Sequence, residues 1–329
     1  MPPATATPAA GPIPKPEALE DLSLPFAGIR TFLGAPNRRE PGDLRHPVAI
    51  LGLPFDGGTV FRPGSRSGPA AIREMSLALT GDDHPELALS PADRLGLFDV
   101  GDVIAEVGDI PGMLTAIEEE AERLIAQDCH IVGLGGDHTV TLPLLRAQAR
   151  RHGPISLVQF DAHPDTWPGG DAVPVFHGSP IRVAIEEGLI DPESSIQIGL
   201  RSPVQREVAA WTRASGLTGI SAEEIHMEGI ERAADRVRET VGARPAYLTF
   251  DMDVLDPSQA PGTGTPEIGG LFSWQALAMV KRLVRLNWTG MDVVEVAPPY
   301  DHAGITALAA ASIAWNYLCH RAARFEGND

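Results

Sequence analysis

Eight short apolar runs, at about 47–53, 96–100, 130–134, 155–160, 195–199, 217–220, 245–250 and 290–296, alternate along the chain with segments of helical periodicity. Strands separated by helices pair in parallel through crossover connections and become buried on both faces. The expected fold class is therefore α/β, a three-layer α/β/α arrangement around an eight-stranded, mostly parallel sheet. Helices are expected over Pro69 to Thr80, Pro111 to Gln127, Leu142 to His152, Pro203 to Ser215, Ile230 to Val241, Trp274 to Leu286 and Thr306 to Ala323. Residues 1–25, with proline at 2, 3, 8, 12, 14 and 16, read as a flexible Pro/Ala-rich N-terminal arm. Neither an internal repeat nor a long linker divides residues 26–329, which read as one domain.

Hydrophobic residues make up 43% and charged residues 21% of the chain, enough for a large core and against disorder throughout. The 44 acids against 26 bases leave a net charge of −18. Nucleic acid and anionic membrane surfaces are thereby poor partners, while a small cation is attracted. The same acidity also serves solubility. No apolar span is long enough to cross a bilayer, and residues 1–15 lack the basic and then apolar pattern of a secretory leader. Cys129 and Cys319 form no CxxC pair and read as reduced core residues, so the expected location is cytoplasmic.

Against this background three stretches concentrate carboxylates and imidazoles: Gly135-Gly136-Asp137-His138-Thr139, Asp161-Ala162-His163-Pro164-Asp165 and Asp251-Met252-Asp253. Each follows a strand run, and Glu295 ends a fourth, Met291-Asp292-Val293-Val294. In parallel sheets the ligand crevice lies at the carboxyl ends of the strands. Alternate residues of an extended chain point the same way, so Asp161, His163 and Asp165 are expected to converge, as are Asp251 and Asp253. A single Asp after a strand is ordinarily a helix cap, and a single His a satisfied core residue. So many acids at one place instead call for a cation to balance their repulsion. Oxygen and imidazole donors without thiolate suit manganese, and less specifically nickel, cobalt or zinc. That is the inventory of a two-metal hydrolase. The glycines at 133, 135, 136, 262 and 264 do not match a dinucleotide fingerprint and are expected in tight turns beside the metals. Asp137 and Asp256 are read as structural.

The chain resembles the ureohydrolases, the family of arginase and agmatinase, over nearly its whole length. The likeness rests on the three stretches above, His177-Gly178, Asp251-Met252-Asp253-Val254-Leu255-Asp256-Pro257, Ala260-Pro261-Gly262-Thr263-Gly264-Thr265-Pro266-Glu267 and Glu295-Val296-Ala297-Pro298-Pro299-Tyr300-Asp301. Gly52-Leu53-Pro54-Phe55-Asp56, Arg62-Pro63-Gly64 and Gly68-Pro69-Ala70-Ala71-Ile72-Arg73 point to the agmatinase-like branch. The resemblance implies an arginase-like fold and two divalent ions, manganese usually and nickel also accepted. His138, Asp161, Asp165 and Asp251 would hold one ion, and Asp161, His163, Asp251 and Asp253 the other. Asp165 would in addition orient the attacking oxygen, Glu295 would receive the guanidinium, and His177 would carry protons to the leaving amine.

The implied reaction splits a small cationic guanidino compound into urea and an amine, agmatine into putrescine and urea first of all, in a homotrimer or homohexamer. The loop after Asp165 departs from the branch, which often has an acid where this chain has Pro168. Trp167 offers its ring face to a guanidine, or else simply packs. Guanidinobutyrate, guanidinopropionate, guanidine and a substituted biguanide therefore stand as alternative substrates. A carboxylate tail would need a positive partner, for which Arg182 and Arg201 are the candidates. Readings from other classes are a deacetylase-like amidohydrolase, against which Glu295 and the bridging aspartates speak, and a noncatalytic subunit of a hetero-oligomer, against which the complete ligand set speaks.

Overall fold

In the computed structural model, residues 28–106, 108–170 and 173–325 are described; the arm expected over 1–25 lies outside them. Every expected strand forms: β1 Pro47–Leu53, β2 Gly96–Asp102, β3 His130–Gly135, β4 Ser156–Phe160, β5 Ile196–Leu200, β6 Thr218–Ser221, β7 Pro245–Asp251 and β8 Asn287–Val294. They make one sheet in the order β2-β1-β3-β8-β7-β4-β5-β6. The expectation of a mostly parallel sheet is exceeded, since every neighbouring pair is parallel. The helices are α1 Gly68–Ser76, α2 Ile110–Ile125, α3 Thr141–His152, α4 Pro180–Glu186, α5 Arg206–Ala214, α6 Ala222–Glu228, α7 Ile230–Val241, α8 Ser273–Arg282 and α9 Ile305–Ala322.

Alternation along each strand divides the apolar side chains between two cores. Val48, Ile50, Val132, Leu134, Val158 and Phe160 pack with α1 and α6 to α9 on one face. Ala49, Leu51, Leu53, Ile131 and Leu157 pack with α2, α3 and α4 on the other. Each large apolar side chain fully withdrawn from water contributes roughly 1.5–3 kcal/mol. Sheet burial on both sides is thus what fixes the three layers. The helices follow local chemistry: Asp109 caps α2 by accepting from the Gly112 N–H at 2.9 Å, and Ile117, Ala121 and Leu124 form its wholly buried stripe. Arg73 of α1 is buried against Asp99 and Asp102 at the end of β2, at 2.8 and 2.6 Å, which fastens that helix to the sheet.

Helices α4 and α6 were not anticipated. With seven residues each they are too short to show a 3.6-residue period, although Ser221 and Glu224 form a capping box that marks α6. Two further differences concern ends: α1 passes into a tighter turn at Leu77–Leu79, and α8 stops at Arg282 rather than Leu286.

Candidate metal centre

The sheet order places β3, β8, β7 and β4 side by side in its middle. These four carry the stretches singled out above, so residues 138, 295, 251–253 and 161–165 emerge from adjacent strand ends. The expected means of convergence is only partly right. Alternation on a strand does not deliver Asp161, His163 and Asp165, because β4 ends at Phe160 and the following residues turn, with Asp165 at φ +50°. The Asp165 carbonyl accepts from the N–H groups of Ile181 and Arg182 at 3.2 and 3.3 Å, so the unforeseen helix α4 holds the turn. Asp253 likewise lies in a helical turn, Met252–Val254, capped by Asp251, which accepts its N–H at 2.8 Å. Glu295 sits at φ +65°. Left-handed backbone at a non-glycine residue costs of order 1–3 kcal/mol and persists only where surrounding contacts impose it.

The candidate ligand atoms meet in two groups, His138 with Asp161 and Asp165, and Asp161 with His163 and Asp253, each group within 4.8 Å. His138 Nδ1 lies 2.8 Å from Asp165 Oδ2, 3.1 Å from Asp161 Oδ2 and 3.3 Å from Asp251 Oδ2. His163 Nδ1 lies 3.0 Å from Asp253 Oδ2 and 3.4 Å from Asp161 Oδ1. The two oxygens of Asp161 therefore face different groups, which suits a bridging ligand. Despite its three carboxylate neighbours, buried His138 Nδ1 makes no hydrogen bond, so the donors are aimed at a common point rather than at one another.

Electrostatics agree that a cation belongs there. Burial and then the charges of Asp253 and Asp161 push the Asp251 carboxyl well above the usual range. Burial and Asp161 take Asp165 up to about 6. Burial alone would lower the His163 ring, yet Asp253 and Asp161 outweigh it and raise it to about 12. Protons are held where the carboxylates want positive charge. Divalent ions would satisfy the same demand, and the oxygen and imidazole donors fit a hard or borderline metal.

Around the ligands lies a layer of buried polar groups that sequence reasoning missed. Nε2 of His138 donates to Thr249 Oγ1 at 2.9 Å, and Thr249 donates to Asp292 at 2.6 Å. Asp292 also accepts from Thr141 and Tyr247. This chain leaves Nδ1 as the ligand nitrogen. On the other side Gln159 Nε2 donates to Asp161 Oδ2, while Gln197 Nε2 donates to Gln159 Oε1 and to the Pro164 carbonyl, each at 2.7 Å. A signal did exist: Thr249 and Gln159 are polar residues inside apolar strand runs, the first on the same face of β7 as Asp251 and the second two positions before Asp161.

A cavity of about 280 Å³ opens beside the centre. Its buried end holds Asp165, Asp251, His177 and Glu295, and its more open end Trp167, Phe176, Glu267 and Val60. Glu295 Oε1 accepts from the His138 N–H at 3.0 Å and pairs with His177 Nδ1 at 2.9 Å, whereas its buried Oε2 has no partner. Burial would lower the His177 ring, but the Glu295 charge prevails and lifts it to about 9. The Val60 N–H, aimed at Nε2 from 3.2 Å, pulls back toward the neutral ring. Trp167 lines the cavity and is braced by donation from Nε1 to Gln205 at 2.5 Å.

Several expectations are corrected here. Neither Arg182 nor Arg201 lines the cavity. Arg182 bonds Glu186 and stacks on Trp211, and Arg201 spends its donors on backbone carbonyls, among them those of Asp253, Val254 and Glu267. The glycines at 133, 135, 136, 262 and 264 do not serve left-handed turns, since none has positive φ. They are required for lack of room: a Cβ on Gly264 would stand 3.1 Å from Glu295 Oε2, and one on Gly136 would collide with the Phe55 carbonyl. Asp137 and Asp256 are structural as read, the first accepting from Gly58 and Thr139 N–H groups and the second from Ser258, Gly269 and Gly270.

The model of the arginase family matches residues 46–319. An agmatinase from Salmonella dublin is 43% identical over 294 residues, 89% of this chain and 93% of its own. Among solved structures, a hypothetical agmatinase from Burkholderia thailandensis superposes with a TM-score of 0.86 at 40% identity, covering 92% of this chain and 94% of the other. A proclavaminate amidino hydrolase from Streptomyces clavuligerus gives 0.85 at 37% identity, with 92% and 99% covered.

Proposed function

The chain belongs to the arginase family, and from that premise we propose that it hydrolyses agmatine to putrescine and urea at a centre of two divalent ions. The observation that carries this reading is the meeting of the unpartnered Glu295 Oε2 and the His177 ring at the buried end of a cavity walled by the ligand carboxylates. Support for agmatine in particular comes from the agmatinases that the chain resembles.

The residues divide the work as follows. His138, Asp161, Asp165 and Asp251 would hold one ion, and Asp161, His163, Asp251 and Asp253 the other. When bound, such a pair lowers the pKa of a water toward neutrality and so supplies a nucleophile that a resonance-stabilised guanidinium otherwise lacks. Glu295 accepts hydrogen bonds from the planar guanidinium and fixes its carbon for attack. Asp165, which lines the buried end of the cavity, accepts a hydrogen bond from the incoming water and orients it. His177, poised between Glu295 and the Val60 N–H, delivers the proton that converts the departing nitrogen to an amine. Water is added across the C–N bond, and urea and the diamine leave.

Guanidinobutyrate and guanidinopropionate fit less well, because none of the residues lining the cavity is Lys or Arg. We further read the enzyme as a manganese-dependent cytoplasmic homotrimer or homohexamer, with nickel the alternative metal. Two buried free cysteines support the location, and among the described residues no helix is long and apolar enough to cross a membrane. Urea release is measured with protein loaded separately with manganese and nickel, on agmatine, arginine, guanidinobutyrate, guanidinopropionate, guanidine and a biguanide. Agmatine is expected to lead by a wide margin. Metal-loaded protein that releases urea from none of them refutes the reading.

A further inference from the structure

The reaction as derived uses only the buried end of the cavity, yet the open end is also built. Glu267 stands there with its side chain 31% exposed, in the same cavity lining as Trp167 and Phe176. Its position is imposed rather than loose. Pro266 precedes it, Arg201 Nη2 bonds the Glu267 carbonyl at 2.7 Å, and Arg201 Nε bonds the carbonyl of Ile268 at 3.2 Å. The same guanidinium grips the carbonyls of Asp253 and Val254, so the loop bearing Glu267 is tied to the loop bearing a metal ligand. The carboxylate itself is left free. Among the described residues no Lys or Arg side chain pairs with it: its one ionic contact within 4 Å is His163 Nε2, at 3.7 Å, beyond hydrogen-bond reach, while the Arg201 charge lies near enough to be felt but spends its donors on carbonyls.

Two carboxylates with different tasks thus share one cavity. Glu295, 1% exposed, lies beside the ligands, whereas Glu267 is separated from the ligand carboxylate Asp253 by the breadth of the His163 ring, whose Nδ1 faces one and Nε2 the other. A positioned acid in a cavity that also holds two aromatic rings is the chemistry that receives an organic ammonium, through charge-assisted hydrogen bonds and ring-face attraction. We propose that Glu267 is the specificity-determining residue for the substrate tail: it receives the terminal ammonium of an aminoalkyl guanidine, with Trp167 and Phe176 lining the approach. This rests on the guanidino-hydrolase reading and adds to it the charge of the substrate's tail. A plain alkylguanidine loses this contact, and a guanidino acid brings its carboxylate against Glu267.

The competing role is structural, with Glu267 merely steadying His163, and the two separate cleanly. Agmatine and n-pentylguanidine, in which a methyl group replaces the ammonium, are compared on manganese-loaded wild type and Glu267→Gln. For the wild type kcat/KM should favour agmatine strongly. In the variant the agmatine value should fall by ~10- to 100-fold, the scale of one hydrogen-bonded charge, chiefly through KM, while pentylguanidine changes less than about twofold and the metal content holds at the wild-type level. An equal loss on both substrates, or a loss of metal, assigns Glu267 to His163 and overturns the proposal, as does no change with agmatine. If loaded wild type turns over neither compound, the hydrolase reading fails by itself. Calorimetric binding of agmatine against pentylguanidine to both proteins then decides the role of Glu267 independently, a preference lost in the variant upholding it and an unchanged one refuting it.

Discussion

His138 and His163 would do the same thing, each offering Nδ1 to an ion, but the protein builds around them very differently. His138 is 1% exposed, and its second nitrogen enters a closed chain of Thr249, Asp292, Thr141 and Tyr247 that runs between strands of the sheet. His163 has a side chain 15% exposed at the cavity, and its second nitrogen faces a carboxylate across a gap. The His138 ring belongs to the core and the His163 ring to the cavity. The lesson is that rigidity and access are separated within a few ångströms, with Asp161 spanning the two.

The sharpest way to break that contrast is to remove the span. Asp161→Ala should strip both sites, taking metal content toward zero and lowering urea release by on the order of 10³-fold, about 4 kcal/mol of transition-state stabilisation. Asp253→Ala touches only the His163 side and should leave one tightly held ion. Metal analysis after dialysis checks both; equal stoichiometry in the two variants would mean that the halves are not distinct.

Next in size is the outer layer of the buried half. Thr249→Val keeps the volume but cuts the link from His138 to Asp292, so it should weaken one ion by ~10- to 100-fold and leave the other near its wild-type affinity. Stepwise titration with manganese resolves the two affinities. If both weaken alike, Thr249 is not private to His138.

How much of this was legible in the sequence follows the same division. The strand runs, and with them the positions of His138, Asp161, Asp251 and Glu295 at strand ends, could be read because burial on both faces writes a continuous apolar run. That β3, β8, β7 and β4 would be neighbours could not, since strand order is a long-range property with no local signature. The cavity's open end was least legible. Glu267 lies in a loop, held by Arg201, and Arg201 stood only as a candidate partner for a carboxylate tail, because a lone arginine in sequence does not reveal which carbonyls will claim it. Convergence of Asp165 and Asp253 was right in outcome and wrong in cause, as a helix too short to detect, α4, fixes the first and a capped turn the second.

A smaller effect separates the metal-loaded and stripped proteins. In the stripped protein His163 is raised to about 12 and His138 is also raised, by the facing carboxylates. A histidine raised on folding stabilises fully below its unfolded value near 6.5, and that stability is lost as pH rises toward the folded value. Chelated protein should therefore lose thermal stability from about pH 6.5 to 9, with an upper bound of ~1.4 kcal/mol per pH unit for each imidazole. Protein loaded with metal already holds both rings deprotonated and should show a flatter profile. A gap in melting temperature that narrows as pH rises would contradict this.

The least disruptive test asks whether anything besides the shared aspartates Asp161 and Asp251 couples the halves. Gln197 is 1% exposed and touches no proposed ligand, yet its amide nitrogen serves Gln159, which holds Asp161, and the carbonyl of Pro164, which precedes Asp165. Its own Oε1 has no hydrogen-bond partner, and the residue lines a second cavity of about 190 Å³, so leucine fits there with little steric cost. Gln197→Leu removes two donors while leaving every ligand in place, a loss of roughly 0.5–1.5 kcal/mol per bond. Because Asp161 faces both groups and Asp165 only the His138 group, the variant should weaken both ions by ~3- to 10-fold, with the His138 site hit harder. Thr249→Val acts on one site and Gln197→Leu on both, so manganese titration of the pair distinguishes a strand-borne support from a shared one. An effect of Gln197→Leu confined to the His163 site would show that the relay serves the cavity side alone.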